Sequence, residues 1–227
     1  MRASLKRLIL KHVRQDSVDL DCSLLPLQVV DLCRRILWHN EVVAALDAAD
    51  QHSQKPDFDG VLRGVTQDLE ALTKATKEEG KTSTPLRAAR LAFFITTMLE
   101  LRDTTSRLVR DEPSSRFAYS WVQHLRHHVT GERRGAGVQV SVGVDSLDYG
   151  YEYQGVATAA VPTPTTLRAR HCLLTAAARR KCGVAVGGVG AGKTETVWEV
   201  ARAAGQFMAT LTCSPNTSVQ VSQRRRE

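Results

Sequence analysis

Apolar residues recur at helical spacing through the first half of the chain. Three stripes follow the alternating three- and four-residue period that places side chains on one face of a helix. They consist of Val29, Leu32, Cys33, Ile36, Leu37, Val42, Val43, Leu46 and Ala49; Phe58, Val61, Leu62, Val65, Leu69 and Leu72; and Leu91, Phe94, Ile95, Met98, Leu99 and Leu108. A bend is predicted in the first stripe near His39 and Asn40. Polar connectors at 51–57 and 77–85 separate the stripes, so the pattern predicts a small antiparallel helical array.

The pattern changes after residue 112. Residues 116–128 predict a helix with an aromatic face, and residues 138–144 alternate between apolar and polar as a strand does. A Pro-Thr loop from residue 161 leads into a helix over 170–180. Three histidines of the first segment have no nearby carboxylate or cysteine, so no metal site is predicted from them; they are His124, His127 and His128.

The last third combines strand and helix patterns around a glycine-rich turn. The apolar run 182–186 predicts a buried strand, and 195–204 predicts a helix that ends before Gly205 at its C′ position. Residues 207–213 predict a second strand. The expected fold class is therefore α/β, with helical residues 1–135 followed by an α/β unit at 136–227.

The turn "GGVGAGKTET" carries the candidate chemistry. The spacing Gly-x-x-x-x-Gly-Lys-Thr from Gly187 to Thr194 is that of a P-loop, in which glycines leave backbone N–H groups open to phosphate oxygens. Lys193 can reach the β- and γ-phosphates, and the Thr194 hydroxyl can ligate Mg²⁺. A helix-capping turn is the alternative, but it does not explain the Lys-Thr pair. The predicted phosphate-binding residues are Gly187, Gly188, Val189, Gly190, Ala191, Gly192, Lys193, Thr194 and Glu195.

Composition narrows the class of protein. With 227 residues, 42% of them hydrophobic, the chain can form a packed core. The net charge of +7 permits acidic partners, but basic clusters are more often a solvated face, so nucleic-acid binding is not predicted. Five scattered cysteines indicate a reducing compartment. The basic, amphipathic residues 1–15 predict an ordinary surface helix, with a transit peptide as the alternative. No segment has the length of a membrane span, which indicates a soluble, intracellular chain.

Several segments, in this order, resemble the dynein heavy chains. Three lie in the helical half, at 28–42, 93–103 and 117–128, and are similar to the end of that family's linker. The others are "YGYEYQG" (149–155), the Thr-Pro element at 163–168, the P-loop, and Cys213-Ser214. In the family these later elements open the first AAA+ module of the motor ring.

The resemblance implies an ATP and Mg²⁺ site in which Val161, Thr163 and Pro164 lie against the adenine. The chain departs from the family pattern at Pro162, Thr165 and Leu167. No apolar strand ending in acidic residues follows residue 213, and no sensor residue or arginine finger can be assigned, so no catalytic residue is predicted. The expectation is a divergent, truncated linker and AAA+ segment.

The implied function is ATP binding within a family that moves along microtubules towards the minus end. The implied partners are intermediate and light chains of a dynein complex, with microtubule contact only through other regions and no membrane. The implied location is the cytoplasm and cytoskeleton, or a cilium or axoneme. Two alternatives remain: a non-enzymatic interaction module with an empty or vestigial nucleotide site, and an independent small kinase or GTPase, which would need further strands.

Overall fold

A computed structural model describes residues 1–15, 25–52, 55–79, 84–131, 135–155 and 163–213. Seven helices and three strands occur in these ranges. In chain order they are α1 (Arg2–Arg14), α2 (Leu27–His52), α3 (Phe58–Glu79), α4 (Pro85–Asp111), α5 (Tyr119–Val122), β1 (Arg126–Thr130), β2 (Gly137–Val142), β3 (Asp145–Asp148), α6 (Pro164–Ala178) and α7 (Lys193–Ala203). The mixed class is confirmed, because long helices precede a small sheet and the helix that follows the glycine-rich turn.

Helix α2 is covered on two faces. Val29 and Ile36 belong to a cluster with α1 and β2, whereas Trp38 and Val42 belong to a second cluster with α3 and α4. The indole Nε1 of Trp38 also donates a hydrogen bond of 2.9 Å to the Thr105 hydroxyl of α4. Because both faces are packed, the helix continues from Leu27 to His52. The predicted bend near His39 and Asn40 is therefore wrong.

Local capping sets where α3 and α4 begin. Asp57 accepts a hydrogen bond of 2.8 Å from the Gly60 amide at the start of α3. At the start of α4 the Thr84 side chain accepts from the Arg87 amide, and Pro85 occupies the first turn. The two long helices then pack against each other around Phe94.

Helix α1 packs against the rest of the protein. Its Leu5 and Ile9 are buried in the cluster that includes α2 and β2. Residues 2–14 therefore form the surface helix that the amphipathic pattern predicted. No helix within the described ranges is both long and apolar enough to cross a membrane.

The sheet is an antiparallel meander in the order β1-β2-β3. Along β2 the side chains of Val138, Val140 and Val142 are buried and those between them are half-buried, as the alternation predicted. The helix predicted over 116–128 is wrong, because only Tyr119–Val122 is helical and Arg126–Thr130 is a strand. The pairing of β1 with β2 supplies a partner that the local helical spacing does not reveal.

The two strands predicted around the glycine-rich turn are absent from the described structure. Residues 182–186 and 207–213 form no strand, and Val184, Val186 and Phe207 are 83%, 90% and 71% exposed. A strand requires a neighbouring strand to pair with, and within the described ranges neither segment takes part in the sheet. The predicted division between residues 135 and 136 stays a prediction; the β1–β2 hairpin straddles it.

The core around α4 gives a direct test of packing. Phe94 is fully buried, whereas Phe117 is 89% exposed. We expect Phe94→Ala to lower the free energy of unfolding by about 3–5 kcal/mol, because it removes a large side chain from a packed site. Phe117→Ala is the matched control and should change it by less than about 0.5 kcal/mol. Chemical denaturation monitored by circular dichroism measures both, and equal losses would contradict the assigned core.

Candidate functional site

Residues 187–192 form a bent loop that leads directly into α7. Gly190 and Gly192 have φ angles of +76° and +74°, in the left-handed region that favours glycine. The Ala191 amide donates to the Gly188 carbonyl at 3.4 Å, which closes a turn. A Cβ atom on Gly190 or Gly192 would meet no other atom within 4 Å. Backbone conformation, and not crowding, therefore requires glycine at these two positions.

The Lys193 ammonium lies over this loop. Its Nζ donates to the Gly187 carbonyl at 2.8 Å and to the Gly188 carbonyl at 2.6 Å. Lys193 is also the first residue of α7, where the initial amides have no acceptor within the helix and the helix dipole is positive. The structure thus brings a cation and a helix amino terminus to one exposed loop.

The other predicted site residues fall into two groups. Val189, Thr194 and Glu195 are exposed at the loop or the first turn of α7. Thr163 and Pro164 start α6, where the Thr163 hydroxyl accepts from the Thr166 amide at 3.2 Å. Val161 lies outside the described residues. The structure therefore gathers 187–195 in one place and gives Thr163 a capping role in its own helix.

The carboxyl end of α7 is fastened to the segment that follows β3. The Gly150 amide donates to the Ala204 carbonyl at 3.0 Å, and the Glu152 amide donates to the Gly205 carbonyl at 2.9 Å. A side chain on Gly205, whose φ is +58°, would overlap the Tyr149 ring, and one on Gly150 would overlap the Gly205 carbonyl. The C′ position predicted for Gly205 is confirmed. The residues that make this contact belong to the motif "YGYEYQG", and their spacing in the sequence does not indicate it.

Gln28, in the first turn of α2, joins the same segment to the helical half. Its Nε2 donates to the Tyr149 hydroxyl and to the Glu152 carbonyl, both at 2.7 Å. Its Oε1 accepts from the Gln154 amide at 3.1 Å. Residues 149–154 therefore connect the start of α2 with the end of α7.

A buried ionic bridge joins three helices. Glu100 of α4 accepts from Arg35 of α2 at 3.0 Å and from Arg170 of α6 at 2.8 Å. Burial would raise the pKa of Glu100, but the two guanidinium groups outweigh it and lower that pKa to about 2. Glu199 and Arg202 of α7 form an ion pair at 2.9 Å and line the same cavity of about 30 Å³ as the bridge.

His127 of β1 makes a further contact with α7. Its Nε2 lies 2.9 Å from the Ala203 carbonyl. Burial, reinforced by Arg35, lowers the pKa of His127 to about 3. The imidazole is therefore neutral at pH 7, and the carbonyl partner indicates that the proton is on Nε2. His127 lies in a segment that was predicted to be helical and is instead a buried strand residue in contact with the end of α7.

Comparison with known proteins defines the class of this region. Residues 149–225 match the family model described as "Hydrolytic ATP binding site of dynein motor region". The loop, Lys193 and α7 all lie within that match. This part of the chain is therefore similar to a nucleotide-binding region of the dynein motor.

Curated relatives extend the similarity to most of the chain. The chain is 28% identical over 205 residues to the cytoplasmic dynein heavy chain of Drosophila melanogaster, which covers 89% of the chain and 4% of the relative. It is 28% identical over 195 residues, 86% of the chain and 4% of the relative, to the dynein-1-beta heavy chain of the flagellar inner arm I1 complex of Chlamydomonas reinhardtii. It is 29% identical over 191 residues to human dynein axonemal heavy chain 3, covering 83% of the chain and 4% of the relative.

Over most of its length the chain is similar to dynein heavy chains. The resemblance predicted from the sequence is confirmed. The chain spans about 4% of the length of these relatives.

The ionic bridge predicts a pH-dependent stability. We expect Glu100→Gln to lower the free energy of unfolding by about 3 kcal/mol at pH 7, because two buried guanidinium groups would lose their carboxylate. The pKa of Glu100 is lowered in the folded protein, so its contribution is complete above the unfolded value of roughly 4.5 and is lost as the pH falls towards 2. The difference between wild type and variant should therefore shrink over that range.

The measurement is denaturant unfolding of both proteins at a series of pH values. Glu70→Gln is the matched control, since Glu70 is an exposed carboxylate on α3. A difference between wild type and Glu100→Gln that stays constant down to pH 2 would contradict the assigned bridge.

Proposed function

We propose that residues 187–195 bind the phosphates of ATP together with Mg²⁺. The observation that carries this proposal is the position of the Lys193 ammonium over a loop held open by Gly190 and Gly192. In the nucleotide-bound protein, Lys193 turns from the loop carbonyls to the β- and γ-phosphates. The backbone amides of the loop donate hydrogen bonds to the phosphate oxygens. The exposed Thr194 hydroxyl then ligates Mg²⁺. The match to a dynein ATP-binding region supports the same assignment.

In this proposal the adenine ring of ATP lies beside the start of α6. Val161, Thr163 and Pro164 form the adenine contacts, as the resemblance implies. Support for this proposal comes from α6, which begins at the Thr-Pro turn, and α7, which follows the loop, because the two helices pack against each other.

The wider role that we propose is that of a dynein heavy-chain segment. Residues 1–135 correspond to the end of the linker, and residues 136–227 to the opening of the first AAA+ module. The chain then acts within a dynein complex, alongside intermediate and light chains, in microtubule-based movement. The relatives' names place such complexes in the cytoplasm and in the flagellum or axoneme, and we propose a cytoskeletal or ciliary location for this chain.

The lysine provides the central test. We expect Lys193→Ala to weaken binding of a fluorescent ATP analogue at least roughly tenfold, because a hydrogen bond to a charged group contributes about that factor or more. Fluorescence anisotropy in the presence of Mg²⁺ measures the affinity. Lys77→Ala, which removes an exposed lysine from α3, should bind as wild type does. Equal affinity in wild type and Lys193→Ala would refute the site.

The proposed role of the Thr194 hydroxyl as a Mg²⁺ ligand can be tested through the Mg²⁺ dependence of nucleotide binding. We expect Thr194→Val to bind the analogue with similar affinity whether or not Mg²⁺ is present, whereas wild type binds more tightly with the metal. The reason is that valine keeps the shape of threonine but offers no oxygen to the ion. A titration of Mg²⁺ at fixed nucleotide measures the difference. An undiminished Mg²⁺ response in the variant would remove Thr194 from the metal site.

A second candidate function is a non-enzymatic interaction module whose nucleotide site is vestigial. It is favoured by the exposed apolar side chains of Val184, Val186 and Phe207 on either side of the loop. Under this alternative, the full chain binds a purified dynein intermediate chain equally well in wild-type and Lys193→Ala form, and wild type binds no ATP analogue. Measurable, Lys193-dependent nucleotide binding decides against it.

A further inference from the structure

A cavity of about 800 Å³ lies where α4, α5, α6 and β2 meet. That volume is in the range of pockets that hold small-molecule ligands. None of residues 187–195 lines it, so it is separate from the phosphate-binding loop, whereas Pro164, a proposed adenine contact, is among its lining residues. Part of its wall is apolar, formed by Trp38, Leu101, Leu125 and Leu174.

The rest of the wall is strongly cationic. Five arginines and two acidic residues line the cavity, which leaves an excess of three positive charges: Arg35, Arg107, Arg110, Arg168 and Arg170 against Glu100 and Asp103. Glu100 is already shared between Arg35 and Arg170. Asp103 pairs with Arg102, outside the cavity wall, at 2.7 Å.

Two of these guanidinium groups have no carboxylate partner. Arg107 of α4 and Arg168 of α6 form no ion pair with any residue in the described ranges, and they approach the cavity from different helices. Arg110 has a weak contact of 3.5 Å with its neighbour Asp111 and is otherwise exposed. A guanidinium is a planar donor that matches phosphate and carboxylate oxygens in pairs.

His124 adds a neutral imidazole to the same wall. Its Nε2 is buried and has no hydrogen-bond partner among the described residues. Burial, with Arg107 and Arg170 adding to it, lowers the pKa of His124 to about 4. The ring is therefore uncharged at pH 7. Buried polar atoms in proteins are usually hydrogen-bonded, so this nitrogen is available to a group that enters the cavity.

We propose that this cavity binds a small organic molecule that carries at least two oxyanion groups. Arg107 of α4 and Arg168 of α6 each bind one oxyanion, and His124 hydrogen-bonds to the same ligand. The apolar wall around Trp38 covers the carbon skeleton. Phosphate and carboxylate share this chemistry, and the arms of the experiment separate them.

Inorganic pyrophosphate and citrate are the two probes, each titrated without metal into the full chain by isothermal calorimetry. All titrations are repeated in the Lys193→Ala protein, so that binding at the loop and binding in the cavity are distinguished. We expect pyrophosphate, citrate or both to bind the Lys193→Ala protein. We also expect Arg107→Gln and Arg168→Gln to weaken that binding roughly tenfold each.

Two further variants sharpen the result. Arg107→Lys keeps the charge but loses the paired donors, so it should bind more tightly than Arg107→Gln and less tightly than wild type. Arg63→Gln removes an exposed arginine of α3 outside the cavity wall and should bind as wild type does. Because Arg107 and Arg168 make no ion pair in the described fold, thermal unfolding should stay within a degree or two of wild type in their variants.

Either of two results would overturn the proposal. One is that neither probe binds once Lys193 is replaced. The other is that binding persists unchanged in Arg107→Gln and Arg168→Gln. A failed Lys193 prediction with intact cavity binding would contradict the proposed nucleotide site alone, so the two proposals fail independently.

Discussion

The arrangement of the helices depends on one buried carboxylate. Glu100 faces two guanidinium groups from different helices, Arg35 at 3.0 Å and Arg170 at 2.8 Å. The Coulombic attraction opposes the cost of removing three charges from water, and it keeps the buried Glu100 carboxylate ionised. Since Arg170 belongs to α6, the bridge fixes α6 against the helical half. Helix α7 follows, because Val200 and Ala204 share a small apolar cluster with Leu174 of α6.

Sequence periodicity correctly predicts those helices and strands that are buried mainly along one face. Helix α3 packs mainly against α4, and β2 alternates between buried and half-buried residues, so their patterns are sufficient. The pattern of α2 predicted a false bend because two clusters cover it from different sides. Strand β1 is predicted as a helix because its own residues do not show its pairing with β2, in which His127 lies opposite Val140. A short stretch of sequence does not show which other segment a strand pairs with.

The residues of the candidate loop could be predicted from the sequence, but the tertiary contacts that hold the surrounding helices in place could not. Spacing alone located the loop and its lysine. It gave no indication that Glu100 would bridge two arginines, or that Gln28 would reach Tyr149 across 121 positions at 2.7 Å. Such contacts join residues that are neighbours only after folding. The strands predicted beside the loop failed for the related reason that an apolar run becomes a strand only against a hydrogen-bonded neighbour.

Helix α7 is held at one end and open at the other, and this asymmetry sets what the loop can do. Its carboxyl end is fixed by the Gly150 and Glu152 amides and by His127. Its amino end carries Lys193, whose ammonium already has two carbonyl partners. A phosphate must compete with those carbonyls for the ammonium, and the lost hydrogen bonds subtract from the binding free energy. The exposed loop also excludes little water, so its charges act at high dielectric. Both effects favour weak phosphate binding by a loop of this shape, and additional protein over the loop would strengthen it.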